Sequence, residues 1–140
     1  MLWIHPAIQL LATIMAVYVL FLAWPRFQTL HLGKQGRFEW KRHALWGRII
    51  IIVILAGLVL GKVAVQSHWN MSPVFLKHSQ GAMTMVPFLI IAYFTGSFMD
   101  RKKQKRFWLP VFHGVNNLVL LGLALYQFYT GYFIIVDFML

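Results

Sequence analysis

The sequence predicts an all-α integral membrane protein, a bundle of four transmembrane helices filling residues 1–140 as a single domain. Three observations predict it. Of the 140 residues 60% are hydrophobic and only 11% charged, a balance foreign to a water-soluble domain of this size. Four apolar runs, Leu2 to Trp24, Ala44 to Val65, Gly81 to Met99 and Pro110 to Val136, are each long enough to cross roughly 30 Å of hydrocarbon at about 1.5 Å per residue. The 13 basic residues, set against three acidic ones, gather in alternate connections.

In lipid each run can satisfy its backbone only as a helix. Pro25 is expected to end the first span, Pro73 to mark the short connection around Ser67 to Lys77, and Pro110 to sit in the first turn of the fourth. Pro87 falls inside the third span and is expected to bend it. Arg26, Lys34, Arg37, Lys41, Arg42 and Arg48 lie in or beside the first connection, and Arg101, Lys102, Lys103, Lys105 and Arg106 in the third, while only Lys62 and Lys77 flank the second. This is the positive-inside pattern, which puts both basic connections in the cytoplasm and both termini outside, periplasmic in the bacterial inner membrane expected here. The net charge of +10 is therefore read as membrane topology, with no nucleic-acid partner. The first span is read as retained rather than cleaved, because no basic region precedes it and its apolar stretch exceeds that of a signal peptide.

The chain has no cysteine, which excludes disulfides, thiolate metal sites and cysteine nucleophiles. It also lacks HExxH, P-loop, GxGxxG and Ser-His-Asp signatures, leaving a hydrolase or nucleotide enzyme without support. Chemistry then rests on the six histidines. His5, His43, His78 and His113 fall one per helix, separated by 38, 35 and 35 residues, each at or near the N-terminal end of its span. Because successive helices alternate in direction, His5 and His78 share the outer level and His43 and His113 the inner one. Two inward-facing imidazoles on opposite helices can hold a planar cofactor between them, as in bis-histidine haem sites of bundle cores, since neutral imidazole gives a nitrogen lone pair to iron. Four interfacial histidines bonded to headgroups or loop carbonyls are the bland alternative. His31 and His68 are expected in loops, one on each side.

Eighteen residues make five helical turns, so position i+18 faces the same way about 27 Å further on. Counting 18 from the four histidines gives Ala23, Gly61, Gly96 and Gly131, all small. Each helix is expected to clear room there for the cofactor at its far end, although ordinary small-residue packing, such as the Gly57/Gly61 GxxxG pair, also accounts for them. Gly81 and Ala82 are expected to clear the turn after His78 for a porphyrin face. Haem propionates have candidate partners in Lys41, Arg42, Arg48 and Arg106 inside and Lys77 outside, which serve equally as snorkelling or topology-setting charges. Gln9 and Asn117 lie one turn from His5 and His113, where each can bond a haem edge, a quinone carbonyl or simply a neighbouring helix; Asn116 borders that face. Tyr126, Tyr129, Trp24, Trp46 and Trp108 read as interfacial belts or packing.

The stretches "WIHPAIQ", "KRHALWG", "LKHSQGA" and "FHGVNN" carry these histidines. With them the chain resembles, over nearly its whole length, the core of the cytochrome b561 family in its eukaryotic-type arrangement of one histidine on each of four helices. The resemblance implies a non-covalent haem b between His5 and His78 and a second between His43 and His113, with electrons passing across the membrane. Better-known members have a further helix on each side of the core, and several reduce monodehydroascorbate or ferric iron with ascorbate. Here only the four core helices are found, and the glycine of "HSQG" is displaced by one, departures that suit a small bacterial relative. The expected function is a dihaem b-type cytochrome relaying electrons between a quinol or protein donor and an acceptor on the opposite face. It would act alone or as the membrane subunit of an oxidoreductase, with lipid, a redox partner or larger complex, and a quinone as its partners. The alternatives are a ferric or ascorbate-type transmembrane reductase, a haem-free anchor or scaffold subunit, and a zinc-binding membrane protein.

Overall fold

A computed structural model of the chain describes residues 3–68, 73–138 and 140. It contains α1 (Ile4–His31), α2 (Trp40–His68), α3 (Pro73–Arg101) and α4 (Trp108–Phe138), with no strand among the described residues. The helices are 28 to 31 residues long, and their most apolar windows have mean hydropathies from 1.6 to 2.5. Each is long and apolar enough to span a bilayer, so the chain is an all-α, four-helix integral membrane protein.

The helices alternate in direction around the bundle. α1 packs mainly on α2 and α3 on α4, with narrower seams between α2 and α3 and between α1 and α4. The diagonal pairs, α1 with α3 and α2 with α4, make no close backbone approach among the described residues. One end of the bundle gathers both chain termini and is called here the terminal end. The other carries the connections 32–39 and 102–107 and is the basic end.

A small apolar core occupies the middle of the bundle: Ala12, Ile50, Ile54, Met85, Leu89, Ala92, Leu120 and Ala124. Its register follows the histidines. Ala12, Ile50, Met85 and Leu120 each lie seven residues, two turns, after the histidine of their own helix, and Ile54, Leu89 and Ala124 lie eleven after. All four histidines therefore point to the same interior as the core. Beyond that stripe the helices are apolar all round and turned to lipid: Phe21 and Phe94 are 70% and 66% exposed, and at most 22% of any span's most apolar window is buried within the chain. Since lipid is as apolar as leucine, exposure of this kind carries no hydrophobic penalty, and close packing through small residues holds the helices together. At the basic end, Asp100 on α3 pairs with Arg48 of α2 and with Lys103 at 2.9 Å. Lys103 in turn lies 3.3 Å over the Trp40 ring, tying the third connection to the start of α2.

Several boundaries differ from those expected from hydropathy. The helices outrun the apolar runs because their ends continue into the polar interface, where charged side chains remain helical. Pro25 does not end α1, which runs on to His31 with the proline inside it. A proline forfeits one helical hydrogen bond without forcing termination. The stop lies at Gly33, whose φ of 64° is left-handed, with the Leu32 and Lys34 amides both donating to the Gln28 carbonyl at 2.9 and 3.3 Å. His31 and His68 are the last residues of α1 and α2 rather than loop residues. Pro73 is the first residue of α3, so "KHSQG" lies wholly within that helix. Residues 69–72 of the expected outer connection, and the His68 side chain, lie outside the described residues. Pro87 and Pro110 fall inside α3 and in the first turn of α4, as expected.

Candidate functional site

The bundle's alternating directions bring the four helix-borne histidines together in two pairs. His5 of α1 meets His78 of α3 at the terminal end, ring centres 6.2 Å apart with planes at 88°. His43 of α2 meets His113 of α4 at the basic end, 6.3 Å apart at 75°. Both pairs run across the diagonals, where the backbones stand apart. Among the described residues no three His, Asp or Glu side chains converge on one point, so the donor set comes in twos.

Each ring spends its Nδ1 on the adjacent helix. His5 donates Nδ1–H to the Gly57 carbonyl at 2.8 Å, and His43 does the same to the Val19 carbonyl at 3.1 Å. A carbonyl can only accept, so the tautomer with the proton on Nδ1 follows. His113 meets the Thr95 hydroxyl at 2.7 Å and His78 the Thr130 hydroxyl at 2.8 Å. Each hydroxyl also reaches a carbonyl of its own helix, Thr95 that of Ile91 at 2.6 Å and Thr130 that of Tyr126 at 3.2 Å, so its one proton serves either the carbonyl or the imidazole. At His78 the Gln127 amide is a further partner, donating to Nδ1 at 3.2 Å. In every ring Nε2 has no hydrogen-bond partner among the described residues, and in His5 and His43 it is left as a bare lone pair.

The spacing tests what can lie between two such nitrogens. With a ring centre about 1.1 Å from its own nitrogen and a metal–imidazole bond of about 2.0 Å, two rings in line on one metal have centres about 6.2 Å apart. A direct N–H···N bond of about 2.9 Å would draw the centres in to roughly 5.1 Å, while a water bridging the two rings at its bent angle would set them about 6.3 Å apart. The observed separations exceed a direct nitrogen–nitrogen hydrogen bond and leave room between the rings for one atom bound by both, a metal or a water oxygen. The second nitrogen of each ring, held by a carbonyl or a hydroxyl, is the outer partner that a ligating histidine requires.

Three glycines accommodate the rings themselves. A Cβ at Gly61 would stand 2.8 Å from His5 Cε1, one at Gly96 3.2 Å from His113 Cε1, and one at Gly131 3.3 Å from His78 Cε1. The room expected at i+18 for a far cofactor is thus taken by the imidazole of the neighbouring helix. The space expected to open over Gly81 is also filled, by the amide of Gln127 and the ring of Tyr126.

The other candidate residues are spent on the fold. Gln9 donates to the Ile54 carbonyl at 3.3 Å and lies over Gly57. Asn117 donates to the His113 carbonyl of its own helix at 2.7 Å, while buried Asn116 donates to the Phe88 carbonyl of α3 at 3.0 Å. Among the proposed propionate partners, Arg42 bonds Glu39 at 2.9 Å and the Tyr18 hydroxyl at 2.8 Å, and Arg48 pairs with Asp100. Lys41 lies 5.7 Å from the Trp40 ring centre and Arg106 4.6 Å from that of Phe98. Lys77 lines a groove with Tyr126 and Tyr129. His31 stacks near Phe27 and Phe107, at 4.9 and 5.9 Å, away from both pairs.

Thr95 and Thr130 are absent from the sequence-derived set. Their signal is a repeat: "TG" follows both His78 and His113 after 17 residues, so α3 and α4 each carry a histidine and the hydroxyl that braces the other's. Comparisons with known proteins add nothing to this geometry: no family model, no curated protein and no solved structure matches the chain.

Proposed function

We propose that the chain is a dihaem b-type cytochrome that carries electrons across the membrane. His5 and His78 hold one haem, and His43 and His113 the other. The observation that carries this reading is the pair of ring separations, 6.2 and 6.3 Å, between imidazoles whose Nδ1 atoms are already engaged. A haem b held by these imidazoles would supply a one-electron couple.

The rest is the work of the chain itself. The Gly57 and Val19 carbonyls and the Thr95 and Thr130 hydroxyls hold the rings in one orientation. His5 is level with Gly57, which lies fourteen residues from His43 on α2, so the two histidine levels are roughly 21 Å apart along the axis. Between them the core from Ala12 to Ala124 is apolar. Ions and protons find no polar path through it. The positive-inside rule places the basic end in the cytoplasm and the termini in the periplasm of a bacterial inner membrane. The arrangement is that of the cytochrome b561 resemblance, with a quinol or a protein as donor.

Vesicles containing the purified chain and loaded with ferricyanide test the reading when a membrane-impermeant reductant is added outside. The internal ferricyanide is expected to be reduced by wild-type vesicles and not by vesicles carrying His43→Ala. Equal rates in the two, or a wild-type protein purified without haem, would instead indicate a haem-free anchor.

A further inference from the structure

The seam between α3 and α4 carries a groove at the terminal end that the histidine pairs do not use. Its volume is about 340 Å³, and it is lined by Lys77 of α3 and by Tyr126, Tyr129, Thr130, Phe133 and Asp137 of α4. Each α4 residue has another of the set three or four positions away, Tyr129 and Thr130 being adjacent, which puts them on one helical face. From Tyr126 to Asp137 the groove runs roughly 16 Å along the axis. Its volume lies at the lower end of small-molecule pockets, which span about 300–1,000 Å³.

The lining is graded. Near the membrane surface stand Lys77 and Asp137, both exposed. They do not pair with each other: the ion pairs among the described residues are Arg42 with Glu39, and Arg48 and Lys103 with Asp100. Deeper in lie three rings, Tyr126 and Tyr129 with centres 6.5 Å apart and Phe133 5.2 Å from Tyr129. Tyr129 and Phe133 are 64% and 41% exposed, so the groove is open to the lipid side of α4. Buried Thr130 completes the wall, and its hydroxyl is the one that braces His78 at 2.8 Å. A molecule lodged here touches the residue that orients a haem ligand.

We propose that this groove binds the ring of a quinone or quinol entering from the lipid. The occupant has to be apolar enough to arrive through the membrane and flat enough to lie against three aromatic rings. It must also satisfy an ammonium and a carboxylate that do not satisfy each other. A quinone ring carries oxygens on opposite edges: a carbonyl accepts from Lys77, and in the reduced form a hydroxyl donates to Asp137. An anionic reductant such as an ascorbate-type ene-diol is repelled by Asp137. A zwitterionic phospholipid headgroup meets both charges but offers the rings no flat face. The inference deepens the electron-carrier reading by naming its donor class and rests on that reading for its purpose, although the binding itself needs no haem.

The test is calorimetric titration of the full chain in detergent with a short-tailed ubiquinone analogue, haem content being measured on the same sample. Saturable binding is expected, weakened about tenfold by Lys77→Gln and, when the analogue is titrated in its reduced quinol form, by Asp137→Asn, each of which removes one charge-assisted hydrogen bond. Tyr129→Leu should weaken it several-fold, whereas Lys62→Gln, an equal change of charge on α2 outside the groove, should leave it unaltered. Absence of saturable binding, or unchanged affinity in both charge variants, overturns the proposal. Displacement of the quinone analogue by phosphatidylethanolamine at comparable concentration overturns it as well and makes the groove a lipid site. A sample that holds haem but fails to bind the quinone refutes this inference alone, and one that binds the quinone without holding haem refutes the electron-carrier reading alone.

Discussion

The two halves of the bundle solve one problem with different parts. In α1 and α2 each histidine donates to a backbone carbonyl of the other helix, His5 to Gly57 and His43 to Val19. Each acceptor lies fourteen residues after its own helix's histidine, so the bracing is reciprocal. In α3 and α4 it is reciprocal again, but the partners are the Thr130 and Thr95 hydroxyls, each seventeen residues after its helix's histidine. A carbonyl belongs to the backbone and can be reached only where the helices come close. The Cβ that Gly61 lacks, which would stand 2.8 Å from His5, shows how close that approach is. A hydroxyl adds a side chain's reach, and α3 and α4 leave the looser 3.2 and 3.3 Å at Gly96 and Gly131. Because the pairs run diagonally, each contains one carbonyl-braced and one hydroxyl-braced ring. The two levels are therefore matched in kind even though the two hairpins are not.

The largest effect should come from removing a ring. His43→Ala and His113→Ala are each expected to halve the haem content and to spare the same remaining haem, and His5→Ala and His78→Ala to spare the other. Pyridine haemochrome assays and redox titration of the four variants read this directly. If His43→Ala and His5→Ala left the same haem, the diagonal pairing would be broken. Next in size is the contrast of glycines. Gly61→Ala forces His5 off its carbonyl and should lose most of the terminal-end haem, whereas Gly96→Ala and Gly131→Ala need only a few tenths of an ångström and should retain most of theirs. Equal losses at all three positions would show that the two hairpins are equally tight.

Smaller effects sharpen the difference between the braces. Thr95→Val keeps the shape of the side chain but orphans the His113 Nδ1. Loss of such an outer partner typically weakens a metal site 10- to 100-fold, so haem affinity at the basic end should fall within about that range. Thr130→Val should do the same at the terminal end, and Thr→Ser should restore both. No side-chain change can delete the carbonyl braces in this way. Smallest of all, Gln9→Leu should leave both haems in place and cost about 1 kcal/mol of stability or less, since its amide serves the Ile54 carbonyl. Loss of a haem in that variant would return Gln9 to the site.

Much of this arrangement was legible in the sequence because it depends on position along antiparallel helices. Four apolar runs and alternating basic clusters give the topology, and topology alone sorts His5 with His78 and His43 with His113. The i+18 glycines were also legible as a pattern, but not their occupant, because a count along one helix does not say which side chain of another helix arrives there. The threonines were missed for a related reason: a hydroxyl in a span bonds its own i−4 carbonyl by default, and only the second helix reveals its second partner. Gln9, Asn116 and Asn117 show the converse. Gln9 and Asn117 were readable either as ligand contacts or as bonds to a helix, and all three donate to a backbone carbonyl, the commonest fate of a polar side chain in lipid. The helix ends followed local geometry that hydropathy does not register, with Gly33 rather than Pro25 closing α1.

The central claim is that each diagonal pair of imidazoles holds one haem b. It is tested most directly by the absorption spectrum of the purified chain, oxidised and then dithionite-reduced, together with a haem assay against protein concentration. The account predicts two haems b per chain, both low-spin in each oxidation state. A chain produced with haem in supply that carries none, or one whose haem is high-spin with an open coordination position, would contradict it.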